Sequence, residues 1–252
     1  MKILLKLSFL GTNYCGYQVQ PNGVTVQQKL NEAAKDLFGY DCDIIGCSRT
    51  DSGVHANEFC VTVTKKKESY LETTIPVKRI AQALSVRLPE DISVFSAEEV
   101  EEDFHPRYDV KYKEYVYKIW NRPYRDPFLA DRSWHCPKEI TAEGLENMKS
   151  AAKRLIGKKD FASYMAADSK IKDTVRTIYD AEVTEQDGVI TFRVSADGFL
   201  YNMVRILVGT LLDVAYGKIT PEDIDGITEA KDRTKAGSTA APQGLFLNRV
   251  VY

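Results

Sequence analysis

The sequence predicts an α+β fold, in which two similar α/β halves join through a mostly antiparallel central sheet with a cleft between them. First, the 252 residues are enough for one large domain or two closely joined halves. Second, strand-like and helix-like segments follow each other in a similar order in residues 1–103 and 104–252. Third, the predicted strands are often adjacent along the chain, which favours antiparallel pairing. A cleft between similar halves is a common location for a binding site.

In residues 1–103, alternating apolar side chains predict a strand from Ile3 to Phe9. Thr25 and Gln28 form a capping-box pattern, which predicts a helix that begins after Thr25 and ends at Gly39. The other elements expected in this half are strands around 43–46, 59–63 and 92–97 and a helix that Pro76 opens and Pro89 ends.

In residues 104–252, the alternation of Tyr115, Tyr117 and Ile119 predicts a strand. Apolar residues at helical spacing from Leu145 to Leu155 predict a helix that ends at Gly157. The other elements expected in this half are a strand around 190–194, a long apolar helix near 199–216, a short helix started by Thr220 and Pro221, and a last strand at 245–251.

The composition is that of an ordinary folded chain, with 44% hydrophobic and 28% charged residues. The net charge of −2 excludes a protein whose whole surface is basic. The charge is nevertheless uneven, at −4 in residues 1–103, +6 in 104–176 and −4 in 177–252. The central segment is where a polyanion would most readily bind, although a charge run of this kind is also typical of a solvated face.

Neither a membrane protein nor a disulfide-rich protein is indicated. No run approaches the roughly 20 apolar residues of a membrane span. The five cysteines are odd in number and contain no C-x-x-C pair, so neither a disulfide framework nor a common zinc site is expected. We expect reduced thiols in a cytoplasmic protein.

The block GCSRTDSGVHA at residues 46–56 concentrates reactive side chains among turn-forming residues, directly between two predicted strands. A loop of this kind displays Arg49, Asp51 and His55 instead of burying them. Spacing alone equally supports a tight turn in which Asp51 caps a backbone amide and pairs with Arg49. The D-S-G triplet also matches aspartic proteases, but their chemistry needs a second carboxylate that shares a proton. No other Asp-Gly pair in the chain has the intervening Ser or Thr.

The block resembles the G-x-G-R-T-D-A-G-V-H-A signature of the tRNA pseudouridine synthases of the A (TruA) type. Ser48 and Ser52 stand where that family usually has small apolar residues, Tyr17 where it often has Trp, and Pro106 where it has Ala. Further matches follow the family's order along nearly the whole chain: Gly11, Tyr14, Gly16, Gln18, Val26-Gln27, Phe104-His105, Arg107, Tyr115-x-Tyr117-x-Ile119, Asp160-Phe161, Met203-Val204-Arg205, Val208-Gly209, Lys231-Asp232-Arg233 and Gly244-Leu245.

The resemblance implies the pseudouridine synthase fold and the isomerisation of uridine to pseudouridine, which needs no metal or organic cofactor. It implies that the half at 1–103 carries the catalytic Asp51, and that 104–252 carries the stacking Tyr115 and the Arg205 partner of Asp51. An ionised carboxylate stabilises positive charge on the sugar. Whether Asp51 attacks C1′ or removes a proton from C2′ stays open. Arg205 would hold Asp51 oriented and charged.

The remaining assignments have strong structural alternatives. The resemblance makes Tyr115 the ring beneath the target uracil, whereas alternation alone places it in the core with its neighbours. It makes Arg49 a support for the flipped nucleotide and lets Leu247 close the pocket, although Leu247 is equally suited to the core. His55 could contact phosphate, but a lone His in a glycine-containing turn more often bonds backbone.

For this family, the resemblance implies that a homodimer acts on uridines 38, 39 and 40 in the anticodon stem-loop of tRNA. A uridine paired in a stem must be extruded before it can react. A-form stems are recognised mainly through shape and backbone. The alternative is a protein that binds and remodels tRNA without isomerising it. The presence of Asp51, Tyr115 and Arg205 together speaks against that alternative, because binding alone needs none of them.

Overall fold

The structure, a computed structural model, describes residues 1–167, 169 and 171–252. Its strands in chain order are β1 (Lys2–Phe9), β2 (Cys42–Gly46), β3 (His55–Lys65), β4 (Ile92–Val100), β5 (Tyr112–Trp120), β6 (Trp134–His135), β7 (Gly157–Asp160), β8 (Val175–Gln186), β9 (Val189–Ala196) and β10 (Leu245–Val251). Its α-helices are α1 (Val26–Phe38), α2 (Val77–Ser85), α3 (Ala142–Arg154), α4 (Met203–Ala215) and α5 (Asp223–Ala230). The prediction of an α+β fold with mostly antiparallel sheet is confirmed.

Two compact units divide the chain. The first unit comprises Met1–Lys111 and Phe246–Tyr252, and the second unit comprises Tyr112–Leu245. The predicted halves, 1–103 and 104–252, stay a prediction about domain organisation.

In the first unit, β3 is the central strand of the sheet. Along one edge it pairs antiparallel with β1, which in turn pairs antiparallel with β4. Along its other edge it pairs antiparallel with β2 through Val61–Lys65, and parallel with β10 at His55 and Ala56. The loop between β2 and β3 therefore leaves the sheet where β2 ends, opposite Val61, and re-enters it at His55.

Local sequence explains the elements of this unit. The apolar residues predicted to alternate in β1 are all buried. The hydroxyl of Thr25 accepts the Gln28 amide and caps α1, and Gly39 ends the helix in the left-handed conformation at φ 79°. The predicted strand around Phe59 begins earlier than expected, at His55.

The second unit has a four-strand order β5-β9-β8-β7 within its described residues, antiparallel throughout, with the short β6 parallel to β5. Helix α4 is apolar nearly all round and almost wholly buried, as expected for a helix inside a core. It begins at Met203, later than the expected start near 199. Strands β6, β7 and β8 were not among the predicted elements. In the described part of the chain, no helix has both the length and the apolar character needed to cross a membrane.

Candidate active site

Asp51 lies in the first unit, on the loop between β2 and β3. The strand pairing continues one residue past β2, where the Cys47 amide donates to the Cys60 carbonyl at 2.8 Å. The chain then turns tightly, with the Val54 amide donating to the Asp51 carbonyl at 3.2 Å and Gly53 at φ +78°. The Asp51 side chain is half-buried. Two strands and a tight turn between them therefore display this carboxylate at the end of the sheet where β2 ends and β3 begins.

A second loop, residues 10–17, packs against the Asp51 loop backbone to backbone. A Cβ on Gly11 would lie 2.0 Å from the Val54 carbonyl oxygen, so only glycine allows this approach. Gly16 combines a left-handed φ of +81° with a Cβ position 2.5 Å from the Thr50 carbonyl oxygen. The Gly11 amide donates to Nδ1 of His55 at 2.9 Å. Two loops distant in sequence thus fix each other through main-chain contact.

Polar atoms are buried beneath the Asp51 loop. The ring of Tyr17 stacks on Phe59 with ring centroids 4.3 Å apart, and Gly46 leaves the space that the ring occupies. Among the described residues, Tyr17 Oη, Thr50 Oγ1 and Arg107 Nε are buried side-chain atoms without a hydrogen-bond partner. Burial raises the pKa of the Tyr17 phenol, and the Arg107 guanidinium acts in the opposite direction. Tyr17 therefore stays protonated under ordinary conditions.

The other candidate residues of the first unit differ in their surroundings. Arg49 is exposed on the same loop as Asp51. His55 is fully buried, and its Nδ1 accepts a backbone amide, which is the structural alternative for this residue. Leu247 is fully buried and lies opposite Ala56 where β10 pairs with β3. It therefore belongs to the wall of the core behind the Asp51 loop.

In the second unit, Tyr115 lies on β5 opposite Val194 of β9. Its side chain is only 7% exposed. The ring of Phe199 meets it edge to face at a centroid distance of 4.9 Å and an interplanar angle of 79°. Packing against Phe199 therefore holds the tyrosine ring in one orientation, and little of its side chain reaches solvent.

Arg205 lies on the first turns of α4 and is held by polar contacts. Its Nε donates to the Ala240 carbonyl at 2.7 Å, and Nη1 donates to Oδ1 of Asn202 at 2.8 Å. The phenol of Tyr117 donates to the next carbonyl, that of Ala241, at 2.6 Å. Burial raises the pKa of Tyr117, which the nearby Arg205 partly opposes. The guanidinium is thus anchored, unlike that of an ordinary surface arginine.

The six candidate residues fall into two groups, with Arg49, Asp51, His55 and Leu247 in the first unit and Tyr115 and Arg205 in the second. Sequence reasoning assigned no role to the residues that support them. Gly11 and Gly16 offered no usable signal, because glycine permits close backbone approach but the sequence does not say which backbone it meets. The left-handed Asn202, at φ 59°, and the Tyr117 anchor offered none. Among the described residues, no group of three or more His, Cys, Asp or Glu could hold a metal ion.

Comparison with known proteins gives a consistent match. A family model described as tRNA pseudouridine synthase matches residues 7–109 and 151–252. A protein called tRNA pseudouridine synthase A from Thermoanaerobacter sp. (strain X514) is 43% identical over 250 residues, which cover 99% of each chain. The protein of that name from Clostridium acetobutylicum is 42% identical over 250 residues, with the same coverage.

One chain of a solved Cbf5-Nop10-Gar1 complex aligns with 96% of this chain and 57% of its own length. Its sequence identity is 13% and its TM-score is 0.35, a likeness too distant to inform the site.

Proposed function

The chain belongs to the tRNA pseudouridine synthase family, and we propose that it isomerises uridine to pseudouridine at positions 38, 39 and 40 in the anticodon stem-loop of tRNA. The family consists of isomerases that convert uridine to pseudouridine. In this reaction the bond between C1′ and N1 breaks, the base turns over, and a bond forms between C1′ and C5. The proton leaves C5 and N1 gains one, so no oxidant, reductant or energy source is consumed.

The observation that carries the proposal is the way the first unit presents Asp51. Breaking the C1′–N1 bond develops positive charge on the sugar, which a fixed carboxylate stabilises. A carboxylate does this best when its position is set before the substrate arrives. The contacts of Gly11 and Gly16 fix the backbone around Asp51, and the half-buried side chain remains accessible. Attack at C1′ and proton removal at C2′ both remain compatible with this arrangement.

The supporting roles are proposed on the same family pattern. Tyr115 is the ring beneath the uracil, and its phenol helps to move the C5 proton. Arg205 supplies the anchored cation of the site. Their fixed orientations support these roles, because pre-set groups need no ordering when substrate binds. Arg49, exposed beside Asp51, supports the flipped nucleotide, whose extrusion costs a few kcal/mol. Leu247 closes the pocket from the core side.

We also propose that the chain works as a homodimer in the cytoplasm, with tRNA as its substrate. The free thiols of all five cysteines are compatible with a reducing compartment. The excess positive charge of residues 104–176 supports binding to a polyanion, and the acidic remainder limits indiscriminate binding.

The test is release of tritium from tRNA labelled as 5-³H-uridine. We expect the wild type to release label and the control Asp36→Asn to release it at the same rate. Asp51→Asn should release it more slowly by at least a factor on the order of 10³, which is typical of the loss of a key catalytic group. Asp36 lies on α1, is exposed and forms an ion pair with Arg87, and its carboxylate serves as the control. Replacing uridines 38–40 of the tRNA by cytidine should abolish release.

Each possible result of these measurements tests a separate part of the proposal. Wild-type protein that binds tRNA without releasing label would favour the binding-protein alternative. Undiminished release by Asp51→Asn would refute the role of Asp51. Release that persists without uridines 38–40 would refute the assignment of the target positions.

A further inference from the structure

A tight turn at residues 104–109 of the first unit, which we call the His105 turn, is unusually well ordered by its own hydrogen bonds. The His105 amide donates to Oδ2 of Asp109 at 2.7 Å, and the Asp109 amide donates back to the His105 carbonyl at 3.1 Å. Nδ1 of His105 accepts the amides of Arg107 and Tyr108 at 3.1 and 3.3 Å. Because Nδ1 accepts, the neutral ring carries its proton on Nε2.

Three contacts fix the His105 turn to the rest of the unit. Lys2 donates to the Phe104 carbonyl at 2.9 Å, and the Tyr252 phenol donates to the Pro106 carbonyl at 2.9 Å. Nη2 of Arg107 lies 3.4 Å from the carbonyl oxygen of Gly46. Gly46 is the last residue of β2, so the third contact joins the turn to the start of the Asp51 loop. Asp51 follows five residues later, at most about 18 Å away along an extended chain.

The His105 turn holds an aromatic pair at the surface. The rings of His105 and Tyr108 stack with centroids 4.2 Å apart and an interplanar angle of 27°. Tyr108 is nevertheless 76% exposed. One face of the phenol is thus covered by the imidazole, while most of the side chain meets solvent. A single exposed aromatic residue is ordinary. An exposed ring that is already stacked, on a turn fixed beside a candidate catalytic loop, is a preformed recognition surface.

We propose that the His105–Tyr108 pair is a stacking platform for an unpaired nucleobase of the RNA substrate, next to the uridine that reacts. This rests on the proposed function. Proteins recognise unpaired RNA bases chiefly by stacking them on aromatic rings, and such stacking tolerates any base. A protein partner fits less well, because the exposed, charged Asp109 follows Tyr108 and no other large apolar side chain of the turn is exposed. Sequence-tolerant stacking also suits an enzyme whose targets are defined by location.

The test measures affinity independently of catalysis. Binding of a fluorescent anticodon stem-loop RNA is measured in the Asp51→Asn background, with Tyr108→Ala, Tyr108→Trp and the control Phe95→Ala. Phe95 lies on β4, its side chain is 52% exposed, and it lies outside the basic segment 104–176. We expect Tyr108→Ala to weaken binding about 5- to 30-fold, the lower range for a lost base–aromatic stack. Tyr108→Trp and the control Phe95→Ala should both bind the RNA as tightly as the parent.

A second arm identifies the stacked base. Single abasic sites are placed in turn at the nucleotides flanking the target, and one of them should abolish the difference between the parent and Tyr108→Ala. Equal binding by the parent and Tyr108→Ala, or a difference that no abasic site removes, overturns the proposal. So does a change of oligomeric state on Tyr108→Ala at unchanged RNA affinity, which would indicate a protein contact. Failure of tritium release by the wild type refutes the proposed function separately.

Discussion

Gly11→Ala should displace the Asp51 loop, although Gly11 itself lies in the neighbouring loop. The added Cβ would lie 2.0 Å from the Val54 carbonyl oxygen, whereas ordinary contact begins at 3.4 Å, so the two loops must separate by about 1.4 Å. The obstacle is backbone and cannot rotate away. Overpacking of this kind costs about 1–3 kcal/mol, equivalent to a loss of about 2–12 °C in Tm for a chain of this size. A displacement of about 1 Å at a catalytic group costs about 100-fold in rate.

The assay is tritium release under single-turnover conditions, combined with thermal unfolding and tRNA affinity. We expect Gly11→Ala to lose about 100-fold in rate at nearly unchanged affinity. The control is Gly226→Ala in α5, where a Cβ meets nothing within 4 Å. Helix propensity predicts that this control is as stable as the wild type or more stable by up to about 1 kcal/mol. If Gly11→Ala matched the control in both rate and Tm, the loop contact would have no role in placing Asp51.

Two further predictions concern the second unit. The Thr174 hydroxyl and the Lys231 ammonium hold the pKa of Asp160 below its ordinary value, so the stabilisation from the ionised carboxylate is present near neutrality and is lost as the pH falls through the folded-state pKa. Asp160→Asn should therefore lower Tm by about 2–4 °C at pH 7, for about 1 kcal/mol. The deficit should shrink as the pH falls through the folded-state pKa of Asp160, and a deficit independent of pH would exclude this ionic origin. Tyr117→Phe removes the hydrogen bond from the Tyr117 phenol to the Ala241 carbonyl. We expect it to lower the free energy of unfolding by about 1–2 kcal/mol, measured by urea denaturation. An unchanged midpoint of the urea transition would show that water replaces the phenol.

Periodicity predicts an element well where one face is buried and the chain is regular. The final strand at 245–251 and the helix between Thr25 and Gly39 have the predicted bounds within a residue. Strand β8 shows why some elements are not predicted from periodicity. Its buried residues are Ile178, Ala181 and Val183, because the register shifts between Ile178 and Asp180 and breaks the alternation. The alternation of buried residues is therefore interrupted within the strand and covers only its middle part.

Hydrophobicity also misplaced the start of α4. The apolar residues from Phe199 suggest a helix from that point, but Asn202 adopts a left-handed conformation immediately before Met203. Phe199 packs on Tyr115 from the preceding turn. Phe199 and Leu200 make the preceding segment apolar as well, and composition alone cannot distinguish an apolar loop from the first turn of an apolar helix.

The polar residues of the Asp51 loop were visible in the sequence because turn residues and strand signals enclose them. The support of the loop was not visible, because it depends on which backbone lies against which glycine. Gly11 and Val54 are far apart along the chain, and no local pattern in either segment encodes their contact. A loop site can thus be predicted from its side chains, while its rigidity depends on the tertiary fold.

That rigidity gives a physical meaning to one departure from the family pattern. Ser52 stands where the family usually has alanine, and its hydroxyl donates to the Tyr14 carbonyl at 3.2 Å. Tyr14 belongs to the loop that carries Gly11 and Gly16, so this bond joins the same two loops that the glycines bring into contact. Alanine could not form it. In this chain the serine therefore adds a side-chain hydrogen bond to the main-chain contact between the two loops, and the departure from the family pattern tightens the surroundings of Asp51.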